Sequence, residues 1–246
     1  MFEAFVPTRK IGCLLPNTVI DNHPAEFYRL VPEGVMLVMV GVGLKEFSSG
    51  DVDRVFKPLD AYLDQLMERG VDMVTQNGVP LPILMGVEKH DRMIRHMAEY
   101  TGKPATSTVL CVVQAAEDLG VRKVAIVNKW TEAMNATLGE FFSRGGVSIT
   151  GEAIRALDPV AFHRIATGDH MQLAYELGRQ AITANPDCDA VYIGGGSWLA
   201  EPVAAKLEAD FGKSVICNQT AVIRANLKTL GIWKPIPGHS RLLATP

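Results

Sequence analysis

Three short stretches occur twice in this chain, in the same order, and they constrain its fold more than any other feature. R-K-I-G-C-L-L-P-N from Arg9 is echoed by R-K-V-A-I-V-N-K-W from Arg122: a basic dipeptide, an apolar run and a polar end. D-M-V-T-Q-N-G from Asp72 parallels D-A-V-Y-I-G-G from Asp189, so that Gly78 and Gly195 each follow their aspartate at the same distance. G-K-P-A-T-S-T from Gly102 parallels G-K-S-V-I-C-N from Gly212, and each leads through a helical pattern to Leu-Gly, at Leu119-Gly120 and Leu230-Gly231. A strand that ends in glycine is common in α/β proteins. Three such matches in register indicate two similar units.

Between these landmarks, short apolar runs alternate with longer amphipathic ones, the pattern of parallel sheets covered by helices. Strands are predicted at Ile11–Leu15, Val35–Val40, Met73–Gln76, Val124–Asn128, Ala190–Gly194 and Ser214–Cys217. Helices are predicted at Val52–Arg69, Val87–Thr101, Thr108–Leu119, Thr131–Gly145, Asp169–Asn185, Ala200–Phe211 and Ala221–Leu230. The fold class is α/β: two pseudo-symmetric three-layer lobes with parallel sheets and a cleft between them. The expected division is residues 1–118 for the first lobe and 119–230 for the second, with a tail, 231–246, packing back on the first. At 246 residues, 48% of them hydrophobic, the chain can bury one sizeable core or two smaller ones. Ligands of open parallel sheets bind beyond the carboxyl ends of the strands. Gly78 and Gly195 are therefore expected to meet across the cleft.

A net charge of −3 with both signs interspersed gives no reason to expect nucleic acid or a membrane as partner. The longest apolar run, G-V-M-L-V-M-V-G-V-G-L, is too short to span a bilayer. A cytoplasmic protein with a small-molecule partner is expected. Cys13, Cys111, Cys188 and Cys217 are scattered without a C-x-x-C pair, and the six histidines lack ligand spacing, so neither metal nor disulfide is expected. No G-x-x-x-x-G-K-[ST] or G-x-G-x-x-G motif occurs, and no organic cofactor is expected.

I-G-C-L-L-P-N, V-T-Q-N-G, S-T-V-L-C, L-G-V-R-K-V-A-I-V, G-G-G-S and the tail P-G-H-S-R-L-L together resemble the Asp/Glu racemase superfamily, in the branch that holds the arylmalonate decarboxylases and maleate cis-trans isomerases. The resemblance covers nearly the whole chain. It implies a pseudo-twofold pair of α/β lobes, a homo-oligomer, and cofactor-independent chemistry on a small carboxylate at the cleft. It also implies thiols at one or both of the equivalent strand ends, the positions of Gly78 and Gly195. Glycine at both removes the thiol acid/base that such carbanion chemistry uses. Racemisation by two thiols and thiolate addition to a double bond are thereby disfavoured, and a lyase reaction, decarboxylation or hydration, fits better.

Backbone N–H groups at Gly194, Gly195, Gly196 and Ser197, ahead of a helix, are suited to a carboxylate; the mirror site spans Asn77, Gly78 and Val79, although Pro80 has no N–H to give. Asn17, Thr18, Gln76, Asn128, Asn218, Gln219 and Thr220 offer non-titrating polar groups at other strand ends. By the resemblance, Trp130 stands where a decarboxylase has an aromatic residue and walls the cleft. For the proton, the candidates in order are His23, Asp21 and Cys217. The plain reading of Asp21 and His23 is a solvated turn before Pro24, and of His239 a surface histidine in the tail. Two functions follow: a cofactor-independent enzyme acting on a small carboxylate or dicarboxylate, or a carboxylate-binding protein that kept the cleft and lost the chemistry. A rearranged cysteine enzyme using Cys217 is a third.

Overall fold

A computed structural model describes residues 6–20, 22–155, 165–195 and 198–246. Its first sheet contains β1 (Arg9–Leu15), β2 (Val35–Gly41), β3 (Met73–Gln76) and β4 (Ala105–Ser107). Its second contains β5 (Lys123–Asn128), β6 (Ser148–Ile154), β7 (Ala190–Ile193) and β8 (Ser214–Cys217). Both are wholly parallel, with orders β2-β1-β3-β4 and β6-β5-β7-β8. The helices are α1 (Asn22–Leu30), α2 (Ser49–Phe56), α3 (Leu59–Met67), α4 (Pro80–Met85), α5 (Val87–Thr101), α6 (Thr108–Asp118), α7 (Glu132–Arg144), α8 (Thr167–Ala184), α9 (Glu201–Phe211), α10 (Asn218–Thr229) and α11 (Arg241–Ala244).

The sequence repeat is a structural repeat, down to single hydrogen bonds. Asp72 Oδ2 accepts the amide of Lys10 at 2.8 Å, and Asp189 Oδ2 accepts those of Arg122 and Lys123 at 2.8 Å. One residue on, Met73 pairs with Ile11 and Ala190 with Val124. At the far ends, Asn77 N donates to Leu14 O at 2.7 Å, and its counterpart Gly194 N donates to Val127 O at 2.8 Å. The third landmark keeps step: Val74 pairs with Ala105, and Val191 with Val215. Gly102 and Gly212 both end helices in the left-handed region, at φ +63° and +70°, which glycine enters without a Cβ penalty.

Three differences from the predicted elements have local causes. The single helix expected over Val52–Arg69 is two, because Pro58 cannot donate an amide and disfavours helix before it. The segment Asn22–Leu30 is a helix rather than a solvated turn, with His23, Glu26, Phe27 and Leu30 buried. Pro24 sits in its first turn, where a missing N–H costs nothing. Strands β4 and β6 escaped the pattern because one has three residues and the other is a half-exposed edge strand carrying Gly151.

Alternate residues of each strand point to opposite faces, so each sheet is buried on both sides. In the second sheet, Val124, Ile126, Tyr192 and Ile216 face α6 and α7, while Val127, Val191, Ile193 and Cys217 face α8 and α9. The helices that follow β4 and β8 cross over. Residues Val109, Val112 and Ala116 of α6 pack in the second sheet's core, and Ile223 and Leu227 of α10 pack with Ile11 and Met73 of the first. The two helices lie against each other. The tail joins both halves: Leu243 packs with Ile11 and Phe27, whereas Leu242 packs with the α6 cluster. No helix among the described residues is long and apolar enough to cross a membrane.

Candidate active site

The carboxyl ends of the inner strands of both sheets meet around one cavity of about 90 Å³. The first half contributes Leu15, Pro16 and Asn17 after β1, Asn77 and Gly78 after β3, Thr108 at the start of α6, and His23 from α1. The second half contributes Lys129 and Trp130 after β5, Gly195 after β7, and Asn218, Gln219 and Val222 from α10. A loop of the first half, Leu44 to Phe47, forms the rim.

Local hydrogen bonds fix what each side chain can present. Asn128 Oδ1 accepts the Trp130 amide at 2.9 Å while its Nδ2 donates to Asn135 Oδ1 at 2.9 Å, so Asn128 clamps the turn that carries Lys129 and Trp130. The buried Tyr192 hydroxyl donates to Asn218 Oδ1 at 2.6 Å, which orients the amide and leaves Nδ2 as a buried donor without a protein partner. Trp130 Nε1 is likewise buried and unpartnered. Both residues line the cavity, and a buried N–H left unpaired costs about 1–3 kcal/mol. Asn77 Nδ2 lies 3.2 Å from His23 Nε2, and Asn77 Oδ1 has no partner. Gln219 Nε2 donates to His23 O at 3.2 Å, fastening α1 to α10.

The glycines at the strand ends have packing reasons of their own. Gly78 sits at φ +89° and Gly195 at φ +140°, conformations that L side chains rarely adopt. A Cβ on Gly78 would lie 2.8 Å from Pro16 Cγ, and one on Gly195 would lie 2.3 Å from Trp198 Nε1. Gly194 admits the Trp130 ring, since a Cβ there would lie 2.8 Å from Cη2. The amide of Gly78 is already engaged, donating to Thr108 Oγ1 at 2.9 Å. The backbone at both strand ends is thus shaped around two tryptophans and a proline, with no space for a side chain.

Burial sets the charge inside. Lys129 is 8% exposed, and desolvation pulls its pKa down to about 6. His23 is held down to about 4 by the same cause and is neutral at pH 7. Among the described residues, the carboxylate on the wall is Glu46, on the exposed rim beside Lys45. The interior accordingly holds a lysine poised between its two states, a neutral imidazole, and amide and indole donors.

The model of the arylmalonate decarboxylase family matches residues 11–243. The chain belongs to that family. It is 26% identical over 243 residues to arylmalonate decarboxylase of Bordetella bronchiseptica, covering 98% of each chain. Among solved structures it superposes with a TM-score of 0.85 and 24% identity on a liganded arylmalonate decarboxylase mutant that gains one cysteine and loses another, covering 96% of this chain and 99% of that one. Maleate isomerase of Pseudomonas putida shares the fold at a TM-score of 0.82 and 17% identity, over 96% of this chain and 98% of that one.

Within this arylmalonate decarboxylase family member, the cavity brings together Asn17, His23, Asn77, Gly78, Trp130, Gly195 and Asn218. Thr18, Gln76, Val79 and Gly194 are adjacent in sequence but do not line it: Gln76 folds back to donate to Asn77 O and Gly78 O, and Val79 is in the core. Asp21, Gly196 and Ser197 lie outside the described residues. Cys217 points away from the cavity, into the cluster of Trp198, Ala200 and Leu207, with Sγ donating to Ala200 O at 3.6 Å and its pKa pushed far up by burial. Among the described residues, no cysteine lines the cavity. His239 Nδ1 pairs with Glu201 Oε1 at 2.7 Å, off the cavity. Lys129 and Thr108 were missed. The signal for Lys129 was present: a lysine between a strand's last residue and a cleft-wall tryptophan, at the position where the repeat has Pro16.

Proposed function

We propose that this protein is a cofactor-independent enzyme that acts on a small carboxylate or dicarboxylate in the cavity between the two sheets, by a lyase reaction rather than by racemisation. The observation that carries this reading is the pairing, around one cavity, of Asn218 and Trp130, each with a buried unpartnered donor, with two titratable side chains, Lys129 and His23. The donors hold a carboxylate; the titratable groups are what a binding protein would have no need to bury. Loss of carbon dioxide leaves a carbanion that must be protonated, and a group whose pKa lies near the working pH does this well. Lys129 meets that condition from its burial. The positions of Gly78 and Gly195, equivalent in the repeat and without side chains, support chemistry that dispenses with thiols. The malonate relation, two carbonyl carbons flanking one carbon, is the substrate pattern suggested by the relative's name.

The test is proton NMR in deuterium oxide with a panel of small mono- and dicarboxylates, including malonates, maleate and 2-hydroxy acids. Turnover of at least one acid is expected, and Asn218→Asp, which replaces the free donor by a like charge, is expected to weaken binding of that acid by roughly tenfold or more. Line-broadening without turnover of any acid would convert the protein into a carboxylate-binding one.

A further inference from the structure

The cavity contains a nucleophile that the thiol chemistry of the resemblance does not require. Lys129 is carried on a turn clamped through Asn128 and Asn135, directly after an inner strand, and is almost wholly enclosed. Its wall is mostly aliphatic and aromatic side chains, Leu15, Ile20, Phe47, Trp130 and Val222, with neutral amides, and the charged Lys45 and Glu46 stand on the exposed rim. Burial there disfavours an ammonium ion and leaves a substantial fraction of the amine unprotonated near neutral pH. A desolvated amine in an apolar pocket is the form in which lysine attacks carbonyl carbon. Asn218 and Trp130, each with a buried donor that has no protein partner, line the same cavity.

We propose that Lys129 forms an imine with a small 3-oxo acid bound in this cavity and decarboxylates it. A 3-oxo acid has the carboxylate and the second carbonyl one carbon apart, as a malonate does, so one cavity can orient both ends. The amine adds to the ketone carbonyl and water leaves, taking up one proton and giving a protonated imine. The bond to the carboxylate then breaks, its electron pair runs to the iminium nitrogen to give an enamine, and carbon dioxide departs. The enamine carbon takes a proton, and water hydrolyses the imine to the ketone and free Lys129. The sum is one 3-oxo acid anion and one proton converted to one ketone and one carbon dioxide, with no redox partner. The inference rests on the cavity being a site of carboxylic-acid chemistry and specifies its nucleophile and substrate class.

The experiment is to incubate the full chain with acetoacetate and, separately, with 3-oxo-3-phenylpropanoate, reduce with sodium borohydride, and read intact mass and peptide map. The expected result is a mass gain that requires both acid and borohydride and maps to Lys129. Lys129→Arg, which keeps a cation but cannot form the imine, is expected to lose the adduct and the release of carbon dioxide while retaining the wild-type circular dichroism spectrum. Lys129→Met serves as the apolar control. Adducts spread over exposed lysines with Lys129 unmodified, or carbon dioxide released by Lys129→Arg at the wild-type rate, overturn the proposal. Turnover of a malonate or another acid in the NMR panel with no adduct on Lys129 removes the imine and leaves the carboxylate enzyme standing. Neither turnover nor adduct removes both.

Discussion

Lys129 is a residue whose cost to stability can be measured separately from its chemistry. In the unfolded chain its amine keeps a proton up to about pH 10.5, and in the fold only up to about pH 6. Between those values folding must release a proton, so its contribution becomes less favourable as pH falls from about 10.5 toward about 6 and is constant below. Lys129→Met removes that cost and keeps the packing. It is expected to be more stable than the wild type at pH 7 by several kcal/mol, about 5 at most, with the gain shrinking as pH approaches 10.5, the unfolded value. Urea denaturation at neutral and alkaline pH checks both parts, and a loss of stability at pH 7 would contradict the burial argument. A group kept at such a cost in a cavity is the usual trade of stability for activity.

At the scale of elements, α1 is held at both ends of its exposure to the site. His23 reaches the cavity, and Glu26, one turn later, accepts the Glu201 amide at 3.0 Å and so secures the start of α9. The two groups titrate in opposite senses. His23 falls from 6.5 to about 4 by desolvation, so the stability it allows is lost as pH drops from about 6.5 toward 4. Glu26 rises from 4.5 to about 7, chiefly by desolvation, so its contribution is fully present below about 4.5 and is lost as pH rises through about 7. Over the shared window the two slopes oppose each other. Glu26→Gln keeps an acceptor for the Glu201 amide and removes one slope. It is expected to steepen the acid loss of stability between about pH 6.5 and 4 relative to the wild type, read from thermal melts across that range. An unchanged profile would mean that Glu26 ionises normally in the fold.

For the whole molecule, the crossing of α6 and α10 makes each half depend on the other. Asp118, at the end of α6, receives the guanidinium of Arg224 from α10, and Arg224 Nη2 also donates to Pro246 O at 2.6 Å. Arg224 is 4% exposed. Asp118→Ala leaves that cation buried beside the chain end without its carboxylate and is expected to cost about 3 kcal/mol. Because the joint ties the two halves, loss should appear as lower stability of one cooperative transition rather than as a separate early melt of one half, which two spectroscopic probes can distinguish. The same crossing explains how much of the site was legible. Asn77, Gly78, Gly195 and Asn218 follow strands that repeat, so their place at the cavity could be read from the register of the landmarks. Gln76 and Val79 stand beside them but point elsewhere, because at a strand end one residue decides between cavity and core. Cys217 shows the same effect: it ends its strand on the face covered by α9, whereas Ile216 before it faces the α6 side.

The sequence by itself determined the α/β class, the twofold repeat and the strands β1, β2, β3, β5, β7 and β8, because apolar periodicity and glycine punctuation act locally and were present twice. It also determined that no thiol stands at either glycine strand end. Only the tertiary structure decided that His23 lies on a helix at the cavity and that Lys129 is enclosed there. A lysine after a strand reads as a solvated end until the opposing half covers it. That cover comes from segments distant in sequence, Leu15, Ile20, His23 and Leu44 to Phe47 of the other half among them, whose packing, rather than any neighbour in sequence, removes the water from its amine.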